Sequence, residues 1–268
     1  MSSRLSWEDI LWEDPDGGSI LLHGTIPTLV YPRKLRPSKE WHGLALLESE
    51  EVVDLWRQEE KDEVESNGVN LAHGLISGGT MGLFLEEVMQ LEDITAGRFP
   101  DPEPRRVHRL AERHARPVFF IEPELDDEAW EHHMIDEARE VSRWKKLFGL
   151  VTVGKKWRKR VKQNIFQAEK PPKGVSPNHS SAAVLSATWW DLNEWLIGEK
   201  ISHSRNLRFA ARLRGALAEL RQEYGASTVL LVPLFLPWRQ DIAELLQTMP
   251  KIEENSSNKT STGDMEEE

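Results

Sequence analysis

The chain of 268 residues contains no cysteine, and this absence excludes several kinds of chemistry. Disulfide bonds, zinc sites built on thiolate ligands and catalysis by a cysteine nucleophile are all ruled out. A metal site in this chain would therefore need histidine and carboxylate ligands.

The sequence also lacks a long apolar run. A membrane-spanning helix needs roughly 20 consecutive apolar residues, whereas the longest run here, residues 229–238 (VLLVPLFLPW), is far shorter and contains two prolines. Residues 1–18 have neither a basic start nor a long apolar stretch, so they do not predict a signal peptide. We therefore expect a cytoplasmic protein.

Negative charge is in excess, with a formal net charge of −11 at pH 7. Because a surface of this sign repels phosphates, we expect no nucleic-acid partner. Hydrophobic residues make up 39% of the chain, which is enough to build a buried core.

Composition divides the chain into three parts. Residues 1–18 form a lead segment and residues 19–250 form one α/β domain. Residues 251–268 (KIEENSSNKTSTGDMEEE) form an acidic tail with almost nothing to bury, which predicts disorder. Within the domain, the proline-containing segments 98–106 and 169–180 are predicted to be loops.

Short apolar runs alternate with helix-length amphipathic segments. Nearly continuous apolar runs are typical of strands buried on both faces, and strands separated by helices indicate an α/β fold. We predict a mixed or mostly parallel β-sheet flanked by helices. Pro233 predicts either an edge strand or an interruption in the last run. The predicted strands are 19–23, 44–47, 117–121 and 228–236, and the clearest predicted helices are 71–93, 126–150, 184–197 and 201–224.

Polar residues lie at or just after the ends of three predicted strands. They are His23, Glu48 and Glu122, and strand ends are where ligands bind in an open α/β sheet. One imidazole and two carboxylates would suit a divalent metal that activates water. Arg205 would then stabilise an oxyanion or hold a substrate carboxylate. The alternative is that these are ordinary solvated residues at strand ends. The sequence thus predicts no cofactor with certainty, and a divalent metal is the only candidate cofactor.

Asn206 extends the apolar stripe of the predicted helix 201–224 back by one turn. An amide on an apolar face needs hydrogen-bond partners, or it costs about 1–3 kcal/mol. The alternative to a functional role is that Asn206 bonds locally near the helix start, with Arg205, Arg208 and Arg212 solvated on a neighbouring face.

Four separated segments, in this order, resemble the TraB family, which includes the Tiki proteases. They are LLHGTIP at 21–27, GLALLES at 43–49, the segment that begins RPVFFIEPELDD at 116–127, and residues 189–246. The resemblance implies the TraB/Tiki-like α/β fold. It also implies that Glu48, Arg205 and Asn206 occupy positions of the family's metal-dependent catalytic site.

The chain departs from the family at three polar positions. Pro27 stands where the family has its first histidine, Ser204 replaces a glutamate, and a VPLF segment replaces the late G-A-G-H. Proline neither ligates a metal nor transfers a proton. We therefore expect a divergent, catalytically inactive TraB-like protein that acts as a binding or regulatory module for a peptide or protein. The alternative is a metal-dependent hydrolase or peptidase with a rearranged site.

A basic segment interrupts the acidic sequence at residues 144–165. Apolar residues recur there at helical spacing, including Trp144, Trp157 and Val161. A basic amphipathic helix can lie on an anionic membrane surface, or it can bind an acidic partner or the acidic tail. The remaining alternative is a helix packed on the sheet with a solvated outer face. The basic residues are Lys155, Lys156, Arg158, Lys159, Arg160 and Lys162.

Overall fold

Five strands form one sheet in the computed structural model, which describes residues 4–255. The strands are β1 Ile10–Glu13, β2 Ser19–Thr25, β3 Gly43–Leu46, β4 Val118–Phe120 and β5 Val229–Phe235. Their order is β1-β2-β5-β3-β4. β1 is antiparallel to β2, and the other neighbours are parallel. The predicted α/β fold with a mixed, mostly parallel sheet is confirmed.

Helices cover both faces of this sheet. They are α1 Val52–Glu65, α2 Val69–Ile76, α3 Gly79–Val88, α4 Pro102–Arg113, α5 Glu128–Val141, α6 Trp144–Val151, α7 Val153–Asn164, α8 Asn178–Ile197, α9 Glu199–Tyr224 and α10 Arg239–Gln247. Successive residues of β5 alternate between the two faces. Leu230 packs with Leu217 of α9, whereas Leu231 packs with Trp56 of α1 and Val107 of α4. This alternation explains why β3, β4 and β5 are apolar at nearly every position.

A third apolar cluster extends the core beyond the sheet. Phe84 of α3, Trp157 of α7 and Leu185 of α8 are buried with Leu29, which follows β2. This cluster supports the segment that leaves the carboxyl end of β2.

The two central strands come from opposite ends of the chain. β2 and β5 pair in parallel along their whole length, with Leu22 opposite Val232. Both strands therefore end at the same edge of the sheet.

Pro233 lies in a central strand, so the first of its two predicted alternatives, an edge strand, is wrong. The pairing of β5 with β3 ends at Leu231, and beyond that residue β5 pairs only with β2. Pro233 lies opposite His23 in this last part. Its missing N–H therefore interrupts no ladder on the β3 side.

The helices differ from the prediction in four places. The predicted helix 71–93 is divided into α2 and α3 at Gly78, whose φ of 67° favours glycine. The predicted helix 126–150 is divided into α5 and α6.

The apolar pattern does not predict α1 or α4, and α4 begins inside the predicted loop 98–106. Pro102 occupies the first turn of α4, where proline is tolerated because that N–H has no partner in the helix.

The segments at both ends contact the domain. β1 lies inside the predicted lead segment and pairs with β2. Glu253, near the start of the predicted acidic tail, forms an ion pair with Arg208 of α9 at 2.8 Å. The rest of that predicted tail, residues 256–268, lies outside the described residues. None of the helices within residues 4–255 has the length and apolar character that crossing a membrane requires.

Candidate functional site

The carboxyl ends of the strands and the start of α4 bring a group of polar residues together. His23 and Thr25 belong to β2, and Glu48 follows β3. Asp101 is the N-cap of α4, and Glu103 lies in its first turn. We call these five residues the strand-end site.

His23 lies between two carboxylates in the interior of this site. Its side chain is 3% exposed, Nδ1 lies 2.8 Å from Asp9 Oδ1, and Nε2 lies 3.6 Å from Glu103 Oε1. Burial alone would lower the pKa of His23, but the hydrogen bond with Asp9 and the neighbouring negative charges of Asp9 and Glu103 outweigh it and raise the pKa. The site therefore favours a protonated imidazole.

Glu103 is the charged partner of His23. Burial alone would raise the pKa of Glu103, but hydrogen bonds from Arg106 and the neighbouring imidazole of His23 lower it. Arg106 Nε donates to Glu103 Oε2 at 2.9 Å from the next turn of α4. An ionised carboxylate is thus held beside the imidazole.

A cavity of about 80 Å³ lies beside this pair, between the strand ends, α4 and Trp238. Its polar lining consists of Thr25, Glu48 and Asp101, and the remaining lining residues are apolar apart from the indole of Trp238 and that of Trp56. The two carboxyl groups therefore share one small, largely apolar space.

Both carboxyl groups in the cavity resist ionisation. Glu48 keeps contact with solvent, yet desolvation by its surroundings raises its pKa to about 7, and the charge of Glu122 adds to this effect. Burial raises the pKa of Asp101 to about 7, which the backbone N–H groups of Thr28 and Glu103 partly oppose. Asp101 Oδ1 is buried without a hydrogen-bond partner among residues 4–255.

Tyr31 and Arg239 fix the backbone around the end of β2. Tyr31 donates a hydrogen bond to the carbonyl oxygen of Gly24 at 3.1 Å, and Arg239 Nη1 donates to the carbonyl oxygen of Glu8 at 2.7 Å. A Cβ atom on Gly24 would lie 2.7 Å from Arg239 Nε. This close approach requires glycine in the LLHGTIP segment and holds His23 in place.

Arg205 and Asn206 lie behind Trp238 rather than in the cavity lining. Asn206 Oδ1 accepts hydrogen bonds from Trp238 Nε1 at 3.0 Å and from Arg205 at 3.1 Å. Arg205 also forms an ion pair with Glu194 at 2.9 Å. Asn206 thus positions a wall of the cavity.

The neighbouring arginines are not solvated, so that alternative for this face of α9 is wrong. Arg212 is 2% exposed and donates to the carbonyl oxygen of Ile121 at 2.6 Å. Arg208 pairs with Asp127 and Glu253. These arginines connect α9 to the loop after β4 and to the end of the described chain.

The three residues predicted as metal ligands have separate contacts. His23 is held by Asp9 and Glu103, whereas the charge of Glu122 acts on Glu48. Within the described part of the chain, no group of three His, Asp or Glu residues is arranged to hold a metal ion. The structure therefore does not assemble His23, Glu48 and Glu122 into one metal-binding group.

Three residues of the strand-end site were outside the sequence-based candidates, Thr25, Asp101 and Glu103, and so was Asp9, which contacts His23. The sequence DPEP at 101–104 is a helix-start signal, with aspartate as N-cap, proline in the first turn and glutamate after it. That signal identifies Asp101 and Glu103, whereas nothing in the sequence around Asp9 indicates its contact with His23.

No family model, curated protein or solved structure matches the chain. The resemblance to the TraB family therefore stays a prediction from four sequence segments. The function has to be argued from the site's own geometry.

The basic segment is two helices rather than one. α6 and α7 are separated at Thr152. Trp157 is buried in the third apolar cluster and Val161 is partly buried against it. α7 therefore packs on the protein with a solvated outer face, as one of the predicted alternatives has it, although it packs against α3 and α8 rather than against the sheet. The predicted basic residues all lie on α7, where Lys156 and Arg160 are half-buried and the other four are exposed.

Proposed function

We propose that the chain is a divergent, catalytically inactive TraB-like protein that acts as a binding or regulatory module. Its strand-end site holds the cationic end of a peptide side chain. One observation carries the proposal: two carboxyl groups, Glu48 and Asp101, have pKa values of about 7 in one small cavity.

A cationic ligand would relieve two energetic costs of this cavity, the disfavoured ionisation of its carboxyl groups and the missing hydrogen bond to Asp101 Oδ1. A positive charge stabilises the ionised forms of the two carboxyl groups, which burial disfavours. An N–H donor would also satisfy Asp101 Oδ1, which otherwise lacks a partner within the described residues.

The size of the cavity restricts what enters it. A water molecule occupies about 30 Å³ in the liquid, so about 80 Å³ accommodates an ammonium group and its first methylene groups. A lysine side chain fits these limits, with the rest of a peptide lying outside near Glu48, which retains contact with solvent.

The proposal is tested with Nα-acetyl-lysine amide and its uncharged analogue Nα-acetyl-norleucine amide, followed by amide NMR spectra of the full chain. We expect the lysine probe to shift the amide signals of Thr25, Glu48 and Asp101, and the norleucine probe to leave them unchanged. Because binding requires both carboxyl groups to be ionised, and the ionised fraction of each rises about tenfold between pH 6 and pH 8, affinity is expected to rise by about a hundredfold over this range.

Two variants and a matched control locate the binding. Asp101→Asn and Glu48→Gln are expected to abolish the shifts, whereas Glu124→Gln, on the exposed loop after β4, is expected to leave them intact. Equal shifts with both probes, or an affinity that is independent of pH, would show that the cavity does not bind cations.

The second candidate is a metal-dependent hydrolase or peptidase with a rearranged site. It is favoured by the pairing of His23 with two carboxylates and by carboxyl groups whose pKa lies near neutral pH, where general acid–base catalysis is most effective. Calorimetry with MnCl₂ and ZnCl₂ decides between the two. Binding of either metal that Asp101→Asn removes, with metal-dependent cleavage of an unstructured protein such as casein, would favour the enzyme.

A further inference from the structure

Helix α6 exposes an apolar face. Trp144 is 73% exposed, Phe148 is 68% exposed and Val151 is 84% exposed. They lie at positions i, i+4 and i+7 and so on one side of the helix. The rings of Trp144 and Phe148 stack at 5.7 Å, which makes a continuous apolar patch.

The opposite side of α6 already has a partner. Lys146 donates to the carbonyl oxygen of Trp195 at the end of α8. A Cβ atom on Gly149 would lie 3.1 Å from Cζ2 of the same tryptophan. Since α6 rests on α8 through this side, the apolar patch points away from the protein.

Helix α7 also has a packed inner side and an exposed outer side. On its inner side Trp157 Nε1 donates to Glu87 Oε1 of α3 at 2.8 Å, and Asn164 bonds to Asp191 of α8 at 3.1 Å. Its outer side carries exposed basic residues at the helical spacing i, i+3, i+4 and i+7. They are Lys155, Arg158, Lys159 and Lys162.

Local charge identifies what these two faces would contact. Residues 143–168 contain nine Lys and Arg residues and no Asp or Glu, although the whole chain has a net charge of −11. A positive surface with adjacent exposed aromatic rings complements an anionic lipid bilayer, where the rings enter the interface and the lysines meet the head groups. A purely electrostatic contact with an acidic protein would leave the patch around Trp144 and Phe148 unexplained.

We propose that the outer faces of α6 and α7 form a docking surface for anionic membranes. Trp144, Phe148 and Val151 enter the head-group region, and the basic side of α7 supplies the electrostatic attraction. The protein lies on the bilayer without crossing it. This surface is separate from the strand-end site, so the proposal stands independently of the function proposed for that site.

Vesicle sedimentation of the full chain tests the proposal. We expect binding to vesicles of 70% phosphatidylcholine and 30% phosphatidylserine, and no binding to pure phosphatidylcholine. The bound fraction is expected to fall as NaCl rises from 50 to 500 mM, because salt screens the attraction. Absence of sedimentation with phosphatidylserine, or equal binding to both vesicles, overturns the proposal, and the former result leaves an acidic protein as the occupant.

Paired variants separate the two contributions. Lys155→Glu with Lys159→Glu is expected to weaken binding by roughly tenfold or more, because each basic residue near an anionic surface contributes substantially. Trp144→Ser with Phe148→Ser is expected to abolish sedimentation.

Two control proteins carry matched changes elsewhere on the surface. They are Lys39→Glu with Lys61→Glu, and Val64→Ser, all at exposed positions. We expect both to bind as the unchanged protein does. If either control loses binding to the same extent as the α6 or α7 variants, the contact is not specific to these helices.

Discussion

Asp14→Ala is expected to lower the free energy of unfolding by about 3–5 kcal/mol, because it leaves a buried guanidinium without its counter-ion. Arg214 Nε lies 3.0 Å from Asp14 Oδ2, and the two side chains are 6% and 1% exposed. Asp14 Oδ1 also accepts a hydrogen bond from the backbone N–H of Asp16 at 2.9 Å, within the turn between β1 and β2. The loss is measured by urea unfolding.

The control for this prediction lies in the same turn. Asp16 Oδ2 is 3.6 Å from Arg214 Nη2, but its side chain is 63% exposed, so Asp16→Ala is expected to change stability by less than about 1 kcal/mol. Asp14→Ala combined with Arg214→Met is expected to cost less than the sum of the single changes, since no unpaired charge then remains buried. If Asp14→Ala and Asp16→Ala lower the free energy of unfolding equally, the guanidinium of Arg214 must be bound by another residue or by water in the Asp14→Ala protein.

The strands were predictable because their residues are buried on both faces. β5 is apolar at every position and β2, buried throughout, carries the apolar run 20–22, and such runs stand out in any sequence. β1 is different, because only Trp12 among its four residues is buried. A four-residue edge strand of this kind has no continuous apolar pattern, which is why residues 1–18 read as a lead segment.

The helices were predictable only where packing imposes a clear period. In α9, Leu213, Leu217 and Leu220 form the expected stripe against the sheet. In α4, Val107, Leu110 and Ala111 have helical spacing and pack in one cluster, but the prolines in its first turn predicted a loop. The buried residues of this helix also include Glu103, Arg105 and His108. Its charged residues are buried because His23 and neighbouring side chains pair with them, and these contacts depend on the tertiary fold.

The dependence of contacts on the tertiary fold also explains which residues of the strand-end site could be predicted from the sequence. The positions of His23 and Glu48 near strand ends follow from the α/β pattern. Their partners do not, because Asp9 lies 14 residues before His23 and Glu103 lies 80 residues after it along the chain. The raised pKa of Asp101 is likewise a property of burial, which no local sequence pattern encodes.

Asp101→Asn is expected to stabilise the protein at pH 8 by about 1–3 kcal/mol, a value reduced from the full shift because Asp101 is only half-buried. Its pKa is about 7 in the folded chain against an ordinary value of 3.8. Between these values the folded state holds a proton that the unfolded state has lost. The contribution of Asp101 therefore becomes less favourable as pH rises from about 4 to about 7, and it stays unfavourable above that range.

The difference between the variant and the unchanged protein reports on this carboxyl group together with its coupling to Glu48 and Glu103. The raised pKa of His23 also makes stability fall as pH rises, while the lowered pKa of His179 acts in the opposite direction. Both residues are present in the two proteins and cancel in the difference. Urea unfolding from pH 4 to pH 8 is expected to give a difference that grows to pH 7 and then levels, whereas Asp126→Asn, at an exposed position, gives a constant one.

If Asp101→Asn stabilises the protein, that result also favours a ligand-binding role for the Asp101 carboxyl group. Asp101 would then lower the stability of the ligand-free protein, whereas asparagine, its neutral isostere, would not. A residue of this kind is better explained by ligand binding than by a contribution to the fold. Nα-acetyl-lysine amide should then raise the unfolding temperature of the unchanged protein at pH 8 and leave that of Asp101→Asn unaltered. A variant that is less stable than the unchanged protein at every pH would instead make Asp101 a structural cap of α4.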